Sequence, residues 1–386
     1  MFGEDFREVA HCGGQFKVTT RLGPNGERQT QFAMTGARLN PMAFVGLFAL
    51  PQGVPVGMID LRGIGPFGNE APVPGCLQVF MGSDSEGRFG HECPNCKGYW
   101  RSEGLPIRWP ITCPYCGARG PAHNFLTLGQ RRYIAIWCEL VISAIEAEEV
   151  GERVINFDEA IDLAAKDAER PAFYYSEEKQ QTRFTCGTCG SWNDIVGRFG
   201  YCSNCGTRND LQDFERAVGA IRERINRETA WDQDVKALVS GFDSLAQQYA
   251  RQLLARVPMI EARRNRLKDK LFHNLKACVE DFRAIFGVDL LKGGDPGDLE
   301  FGTMMFARRH VYEHKGGVAD ARYVEEIGDP SFCTGELIRE SKENAARLAS
   351  IVVRMARNLH TGFHDMLPVV PAAIQSAQEW KRPKEN

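Results

Sequence analysis

Two short cysteine-rich stretches decide the fold of the N-terminal half. Residues 93–116 have the sequence CPNCKGYWRSEGLPIRWPITCPYC, and residues 186–205 have the sequence CGTCGSWNDIVGRFGYCSNC. Each stretch holds two Cys-x-x-Cys pairs and so offers four thiolates. One tight turn directs both sulfurs of a pair at a single ion, and the second pair completes the tetrahedron that zinc prefers. The sequence therefore predicts two structural zinc ions per chain, held by Cys93, Cys96, Cys113, Cys116, Cys186, Cys189, Cys202 and Cys205.

A glycine follows each cysteine pair closely and permits the positive φ that turns backbone amides toward the thiolates. The two segments resemble zinc ribbons, a resemblance that implies metal binding without specifying a partner. A redox Cys-x-x-Cys needs only one pair beside a βαβ pattern, and disulfides suit a smaller secreted chain, so both are weaker interpretations. The four glycines are Gly98, Gly117, Gly190 and Gly206. The remaining cysteines are expected to be core residues: Cys12, Cys76, Cys138, Cys278 and Cys333.

The composition is that of a globular chain without a strong overall charge. Its 386 residues suggest more than one domain, and 47 basic against 50 acidic side chains give a formal net charge of -3. Any polyanion site therefore has to be a local patch. The longest apolar stretch, residues 42–59, is interrupted by prolines, and the first residues include acids where a signal peptide needs cations. We expect no membrane segment and a cytoplasmic location, which also suits reduced Cys-x-x-Cys pairs.

Changes in residue pattern divide the chain into four predicted segments. Residues 1–130 form a β-rich domain with the first ribbon, residues 131–172 a helical connector and residues 173–210 the second ribbon. Residues 211–386 are helical by period and form an all-α bundle. The predicted fold class is α+β multidomain. Helices are expected near 211–228, 231–256, 262–286, 299–315 and 333–362.

A second informative stretch lies near the C-terminus. Residues 306–323 have the sequence FARRHVYEHKGGVADARY. On a helix, His310 and His314 lie four residues apart on one face with Arg309 beside them. Gly316 ends the helix, so His314 falls in the last turn, where the helix dipole favours the imidazolium form. Two histidines and an arginine so arranged suit acid–base chemistry on a phosphate.

This stretch resembles the HEPN superfamily, small all-helical domains whose signature is an arginine, a polar residue, three variable residues and a histidine. Arg309, His310 and His314 match the signature, and Asp320 and Tyr323 look like the continuation found in many members. The resemblance extends from about Ala230 to Phe363 and includes the helices that flank the motif.

The resemblance implies a metal-independent endoribonuclease that works as a homodimer through the helical domain. His314 would act as acid or base, Arg309 as the phosphate clamp and His310 as the supporting polar residue. RNA would be cut by 2′-hydroxyl attack to a 2′,3′-cyclic phosphate, and DNA would survive. The resemblance further suggests a defence or stress response, with the N-terminal region receiving a protein or nucleic-acid trigger.

Two groups of residues are candidates for contact with nucleic acid. Cations and aromatic rings around the first ribbon suit the binding of a single nucleic-acid strand. Alternatively, the rings only cover the small core of the ribbon. These residues are Arg88, Lys97, Tyr99, Trp100, Arg101, Arg108, Trp109 and Arg119. A basic run on predicted helices could guide an RNA backbone or form a solvated face: Arg251, Arg256, Arg263, Arg264, Arg266, Lys268 and Lys270.

Two other functions are compatible with the same residues. His310-Val-Tyr-Glu313-His314 also fits the His-x-x-Glu-His order of inverted zinc proteases. That chemistry needs a third metal ligand, for which the sequence offers Glu336, Glu340 and Glu343. The other alternative is a non-catalytic module whose ribbons bind nucleic acid or protein while the helical domain docks partners.

Overall fold

The computed structural model describes residues 7–36, 42–61, 70–166, 181–268, 272, 274–329 and 331–381. The chain divides into two compact units. Unit 1 comprises Met1–Arg208 with Val369–Asn386, and unit 2 comprises Asn209–Pro368. Small antiparallel sheets occur together with helices, which confirms the predicted mixture of α and β. No helix in the described ranges is long and apolar enough to cross a membrane.

Unit 1 is built from short strands that form four small antiparallel sheets within its described residues. The strands are β1 (Gln15–Leu22), β2 (Arg28–Thr35), β3 (Phe44–Ala49), β4 (Pro55–Ile59), β5 (Leu77–Gly82), β6 (Phe89–Glu92), β7 (Tyr99–Ser102), β8 (Ile111–Thr112), β9 (Arg119–Gly120), β10 (Gly151–Asn156), β11 (Gln181–Thr185) and β12 (Trp192–Val196). Their orders are β10-β1-β2, β4-β3-β5, β11-β12-β7-β6 and β8-β9. The third sheet takes two strands from each predicted ribbon.

Helix α1 (Leu128–Glu146) joins these sheets into one core. Thr127 accepts a hydrogen bond from the Gln130 backbone, and the Gln130 side chain bonds back to the Thr127 amide, which fixes where the helix begins. Tyr133 donates to the Phe80 carbonyl at 2.8 Å, and its ring is fully buried. The helix period predicted from the sequence thus corresponds to the buried face of α1.

The Trp137 ring occupies the centre of this core. It lies 4.6 Å from the ring of Phe157, the first residue of α2 (Phe157–Ala165), and 5.4 Å from the ring of Phe16 on β1. Its indole N–H donates to the Gln78 carbonyl on β5 at 3.1 Å. One buried side chain therefore connects elements that are distant in sequence.

Unit 2 is wholly helical apart from short irregular segments in its described residues. The long helices α3, α4 and α9 pack against one another, and α7 packs on α4, α6, α8 and α9. The helices are α3 (Asp210–Arg227), α4 (Trp231–Arg256), α5 (Glu261–Leu267), α6 (Leu275–Phe286), α7 (Asp298–His314), α8 (Ala321–Ile327) and α9 (Lys342–Met366). An apolar seam of buried residues runs through α4 and α9, as their hydrophobic period predicts.

Two predicted helices have different limits in the structure. The segment 262–286 contains two helices, because Asn274 caps a new start by accepting from the Ala277 amide. The last long helix begins at Lys342 instead of near 333. Ser341 caps it by accepting from the Asn344 amide, and Val318 and Leu337 form a β-bridge before it. Capping side chains thus fix these ends where period alone could not.

The last helix, α10 (Pro371–Lys381), belongs to unit 1. The Val370 amide donates to the Cys205 carbonyl at 2.7 Å, and Ala373 is buried against the second cysteine set. The end of the described chain therefore covers the second predicted zinc site.

A half-buried carboxyl in unit 1 has an unusual protonation state. Glu8 accepts a hydrogen bond from the Thr127 hydroxyl at 2.5 Å, and its Oε1 has no hydrogen-bond partner among the described residues. Burial raises the pKa of Glu8 from 4.5 to about 7, against the opposing effect of hydrogen bonds from Thr127 and Tyr99. The carboxyl is therefore mostly protonated in the folded chain at mildly acidic pH.

This carboxyl predicts a pH dependence of stability. The pKa of Glu8 is higher in the folded than in the unfolded chain. Its contribution to the free energy of unfolding is therefore fully present below about pH 4.5 and is lost as pH rises through about 7. Glu8→Gln cannot ionise, so it should match the wild type near pH 5 and exceed it by roughly 1–3 kcal/mol at pH 8. Urea unfolding at both pH values measures this. An equal difference in the free energy of unfolding between Glu8→Gln and the wild type at both pH values would contradict the prediction.

Candidate metal centres and candidate catalytic site

The first cysteine set forms a closed cluster of four sulfurs. Cys93 Sγ lies 3.6 Å from Cys116 Sγ, and Cys96 Sγ lies 3.6 Å from Cys113 Sγ. A regular tetrahedron with Zn–S bonds of about 2.3 Å has edges of about 3.8 Å. All four sulfurs lie within 4.8 Å of one another. The distances fit a four-coordinate metal and are far longer than the roughly 2.05 Å of a disulfide.

The second set repeats this geometry. Cys186 Sγ lies 3.7 Å from Cys205 Sγ, and Cys189 Sγ lies 3.6 Å from Cys202 Sγ. All four of these residues are buried, whereas Cys96 of the first set is exposed. Four thiolates leave no open position, so zinc bound in either set would staple the fold and would not meet a substrate. Both sets support zinc ribbon-like sites at the predicted ligands.

We call each Cys-x-x-Cys turn a knuckle, so that each ribbon has a first and a second knuckle. In the first knuckle of the first ribbon, the residue with positive φ is not the predicted glycine. Gly117, Gly190 and Gly206 have φ of 65°, 75° and 77°, but in the first knuckle the positive φ of 60° belongs to Lys97. Gly98 is required for a different reason: a Cβ there would lie 2.3 Å from the Tyr115 ring. The expectation for Gly98 was therefore wrong, because the glycine makes room for a ring and does not turn the chain.

The two ribbons are related by a local twofold axis, and we call them together the ribbon pair. Strands β7 and β12 run antiparallel, with Arg101 opposite Asp194 and Ser102 opposite Asn193. Arg101 and Asp194 are each the eighth residue after the first cysteine of their own ribbon. Equivalent positions therefore face each other, and the axis passes between them.

The second Cys-x-x-Cys turns of the two ribbons are related by the same twofold axis. The Thr112 amide donates to the Ser203 carbonyl at 2.8 Å, and the Tyr201 amide donates to the Pro114 carbonyl at 2.9 Å. Thr112 and Tyr201 each precede the first cysteine of a second knuckle, and Pro114 and Ser203 each follow it. The duplicated cysteine pattern is thus a duplicated structure in which each ribbon completes the other.

This pairing predicts that the metal sites depend on each other. The wild-type chain should contain about two zinc ions by elemental analysis. Cys93→Ser should retain less than one, because each structural site contributes on the order of 10 kcal/mol to a fold that both ribbons share. Cys333→Ser is the control, since Cys333 is exposed and lies outside both sets. One retained zinc with an unchanged unfolding transition in Cys93→Ser would contradict the coupling.

The other cysteines are only partly core residues. Cys12, Cys138 and Cys278 are buried, as expected, whereas Cys333 is exposed and Cys76 is half-buried. None of them joins a group of potential metal ligands in the described ranges.

In unit 2, the predicted catalytic residues lie in the last two turns of α7. The His310 and His314 rings are 4.7 Å apart between centroids, and both residues are exposed. Within the part of the chain that the structure describes, neither ring has a hydrogen bond. Arg309 is nearly buried, with 9% of its side chain exposed, and its Nη2 lies 2.7 Å from the Glu313 carboxylate. The helix thus brings all three predicted residues to one end.

The electrostatic surroundings of His310 favour its neutral form. Partial burial lowers its pKa below the ordinary 6.5, and the nearby charges of His314, Arg309 and Arg322 lower it further. Asp320 has the opposite, smaller effect. The His310 imidazole is therefore mostly neutral at pH 7 and can accept a proton.

A buried network that the motif did not indicate anchors this end of α7. Arg308 has 4% of its side chain exposed and contacts Asp329 at 2.7 Å and Glu340 at 3.1 Å. Tyr323 accepts from Arg308 at 3.1 Å, and Tyr312 donates to Glu340 at 3.0 Å. The only sequence signal was the Arg308-Arg309 doublet, which does not tell which arginine binds Asp329 and Glu340.

The network also gives structural roles to the residues after the motif. Asp320 caps α8 by accepting from the Tyr323 amide at 2.9 Å. The Tyr323 hydroxyl donates to Asp329. Although burial opposes ionisation of Asp329, hydrogen bonds from Tyr323 and Arg308 hold its pKa at about 2.

The arrangement does not provide the site of a zinc protease. In the described ranges, His310 and His314 do not join a third ligand at metal-binding distance. Glu340 is held by Arg308 and Tyr312, and Glu336 accepts from the Cys333 amide. Among the described residues, the His-x-x-Glu-His order therefore has no third ligand beside it.

The predicted nucleic-acid residues around the first ribbon separate into two groups. Arg101 and Trp100 are fully buried, so they serve the core. Lys97 and Arg108 have 75% and 69% of their side chains exposed, and Trp109 is half-buried. Trp192 is a further half-buried ring nearby, on β12, and no motif in the sequence singles it out.

The basic run in unit 2 is largely exposed where the structure describes it. On α5, Arg263, Arg264 and Arg266 are exposed, and Arg266 pairs with Asp281 at 2.6 Å. Lys270 lies outside the described residues.

No protein-family model, no curated protein and no solved structure matches this chain. None of these comparisons supports the HEPN resemblance, which rests on the sequence pattern alone.

Proposed function

We propose that the chain is a metal-independent endoribonuclease whose zinc ions are structural. One observation carries this proposal: the histidines of α7, His310 and His314, are exposed as a close pair beside Arg309, and neither has a hydrogen bond in the described residues. A pair of imidazoles adds little to a fold when it is exposed and without hydrogen bonds. It is suited to proton transfer on a bound molecule.

The chemistry follows from what each group can do at neutral pH. A neutral imidazole accepts the proton of a ribose 2′-hydroxyl as that oxygen attacks the adjacent phosphorus. A protonated imidazole then supplies a proton to the departing 5′-oxygen, and a 2′,3′-cyclic phosphate remains. Arg309 can stabilise the charge that develops on the phosphoryl oxygens through its fork of N–H donors. No step requires a metal.

The spacing of the two rings favours an active site that two chains complete. The attacking and departing oxygens lie on opposite sides of phosphorus, so base and acid must approach from opposite sides. A base and an acid on opposite sides of a phosphate are separated by at least two hydrogen bonds of about 2.8 Å each. That separation is larger than the 4.7 Å between the two ring centroids. One pair therefore serves one side of the phosphate. A symmetric homodimer supplies a second pair for the other side.

Exposed cations of unit 2 offer a path for the RNA backbone. Arg263, Arg264 and Lys268 lie on or next to α5 and are exposed. Phosphate contacts of this kind contribute sequence-independent, salt-dependent affinity. They position RNA without selecting its sequence.

A non-catalytic binding role is the second candidate, and a specific contact favours it. The Arg309 guanidinium is engaged by Glu313 at 2.7 Å, so the predicted phosphate clamp already has an anionic partner. However, the Glu313 carboxylate is 42% exposed, so a phosphate oxygen that reaches this end of α7 can compete with it for the Arg309 N–H donors. A phosphate that carries a full charge can replace such a partner.

The first test uses the histidines. His314→Ala should lower the cleavage rate of a mixed RNA panel in chelator-treated buffer by at least about 100-fold, because general acid–base groups contribute roughly 10²–10⁴. His364→Ala is the matched control, since His360 and His364 form another pair with ring centroids 4.6 Å apart, on α9. Unchanged unfolding of both variants excludes a folding defect. Equal cleavage rates of His314→Ala and the wild type would contradict the proposal.

The second test separates nuclease from protease chemistry. In a His-x-x-Glu-His protease the glutamate is the catalytic base, whereas the ribonuclease assigns no proton transfer to Glu313. Glu313→Gln should therefore keep RNA cleavage within about threefold of the wild type, since the amide oxygen still accepts a hydrogen bond from Arg309. Zinc content should stay at two per chain. Zinc-dependent peptide cleavage that this substitution abolishes would favour the protease.

A further inference from the structure

A cleft of about 400 Å³ opens in unit 1 between sheet β4-β3-β5 and the ribbon pair. Its size lies within the range of small-molecule sites. Phe44 and Met58 line one side, and Trp109 and Trp192 line the other. The cleft is separate from the histidine pair of unit 2, and the ribonuclease proposal gives it no role.

Apolar side chains in this cleft remain in contact with solvent. Ile107 and Leu61 are 39% and 36% exposed, and Phe44 and Met58 are half-buried. An apolar surface collected in a concave site indicates an interaction, because single exposed apolar residues would be scattered.

The two tryptophan rings are held in place before any ligand arrives. The Trp109 indole N–H donates to Asn204 Oδ1 at 2.7 Å, and the Asn204 amide donates to Ser191 Oγ at 2.8 Å. The Arg88 guanidinium lies 4.1 Å from the centroid of the Trp192 ring. Fixed rings bind a flat partner at low entropic cost, because little side-chain freedom remains to be lost.

The charges of the cleft exclude a polyphosphate and favour a neutral ligand with polar edges. Asp60 and Glu103 line it together with one arginine, Arg108, and Arg108 is already paired with Asp60 at 3.1 Å. The lining therefore has no excess of positive charge. Ser191 and Asn204 also line the cleft, but their side chains already hydrogen-bond to each other and to Trp109, so the exposed Glu103 carboxylate is the polar group that a ligand can bond to.

We propose that this cleft binds a nucleobase, stacked against the tryptophan side and hydrogen-bonded at its polar edge. Base-on-aromatic stacking contributes about 1–3 kcal/mol per base, and polar side chains can bond to the heteroatoms of the base. The base can come from a free nucleoside or from an unstacked position of single-stranded RNA. The RNA source rests on the proposed function, whereas the nucleoside source is independent of it.

The experiment measures binding to the full-length chain. Calorimetry with adenosine, uridine and adenosine 5′-monophosphate tests the free source, and fluorescence anisotropy with labelled single-stranded RNA octamers tests the RNA source. The octamers are bound to the His314→Ala chain, so that binding is read without cleavage. A nucleoside held by stacking and a few hydrogen bonds should have a dissociation constant of about 10 µM to 1 mM.

Two pairs of variants assign any binding to the cleft. Trp192→Leu removes the ring and should weaken binding at least about fivefold, whereas Trp192→Phe keeps a ring and should stay within about threefold. Ile107→Glu places a carboxylate at the exposed edge of the cleft and should also weaken binding. Val196→Glu is its control, because Val196 is 40% exposed on β12 and does not line the cleft. Zinc content of two per chain confirms that each variant is folded.

Each outcome decides the proposal. Trp192-dependent binding of nucleosides supports the free source, and such binding of octamers alone supports the RNA source. Affinity that stays constant in Trp192→Leu and Ile107→Glu, or the absence of binding to any probe, overturns the proposal. Binding of the monophosphate more than about tenfold tighter than adenosine also overturns it, because the cleft would then be an anion site. Loss of cleavage in His314→Ala has no bearing on these results.

Discussion

The guanidinium of Arg101 lies at the joint between the two zinc ribbons with none of its surface exposed. It contacts Asp194 of the other ribbon at 2.7 Å, Asp84 at 3.2 Å and the partly exposed Glu86 at 2.6 Å. Removing one member of such a buried group costs about 3–5 kcal/mol, because uncompensated charge remains inside. Since this pair lies on the local axis, the ribbons, the sheet they share and the cleft beside them all depend on it.

Unit 2 uses a buried arginine in the same way, beside its exposed histidines. Arg308 ties α7 to the segment before α9 through Asp329 and Glu340, and so fixes the last turns of the helix. His310 and His314 then project from a rigid element. The proposed site needs such support, because its groups would have to be held close to their productive geometry. The neighbouring arginines have different roles: Arg308 stabilises the helix end, and Arg309 remains next to the histidines.

The sequence predicted features that depend on local spacing and missed those that depend on distant partners. The eight cysteines follow from turns of two residues, and the long helices from a period of 3.6. Nothing local shows that Arg101 meets Asp194, which lies 93 residues later, or that α10 returns to cover the second cysteine set. The positive φ at Lys97 escaped because the ring of Tyr115 reserves Gly98 for another purpose.

The contacts of the histidines separate those with a structural role from those without one better than the motif does. His91 is fully buried, bonds to Ser102 at 2.7 Å and stacks on Trp100, so its place in the fold is explained. His360 bonds to the Tyr249 hydroxyl at 2.6 Å. By contrast, His310 and His314 have ring contacts only with each other among the described residues. The fold gains little from this pair, and this is the physical basis of the ribonuclease proposal.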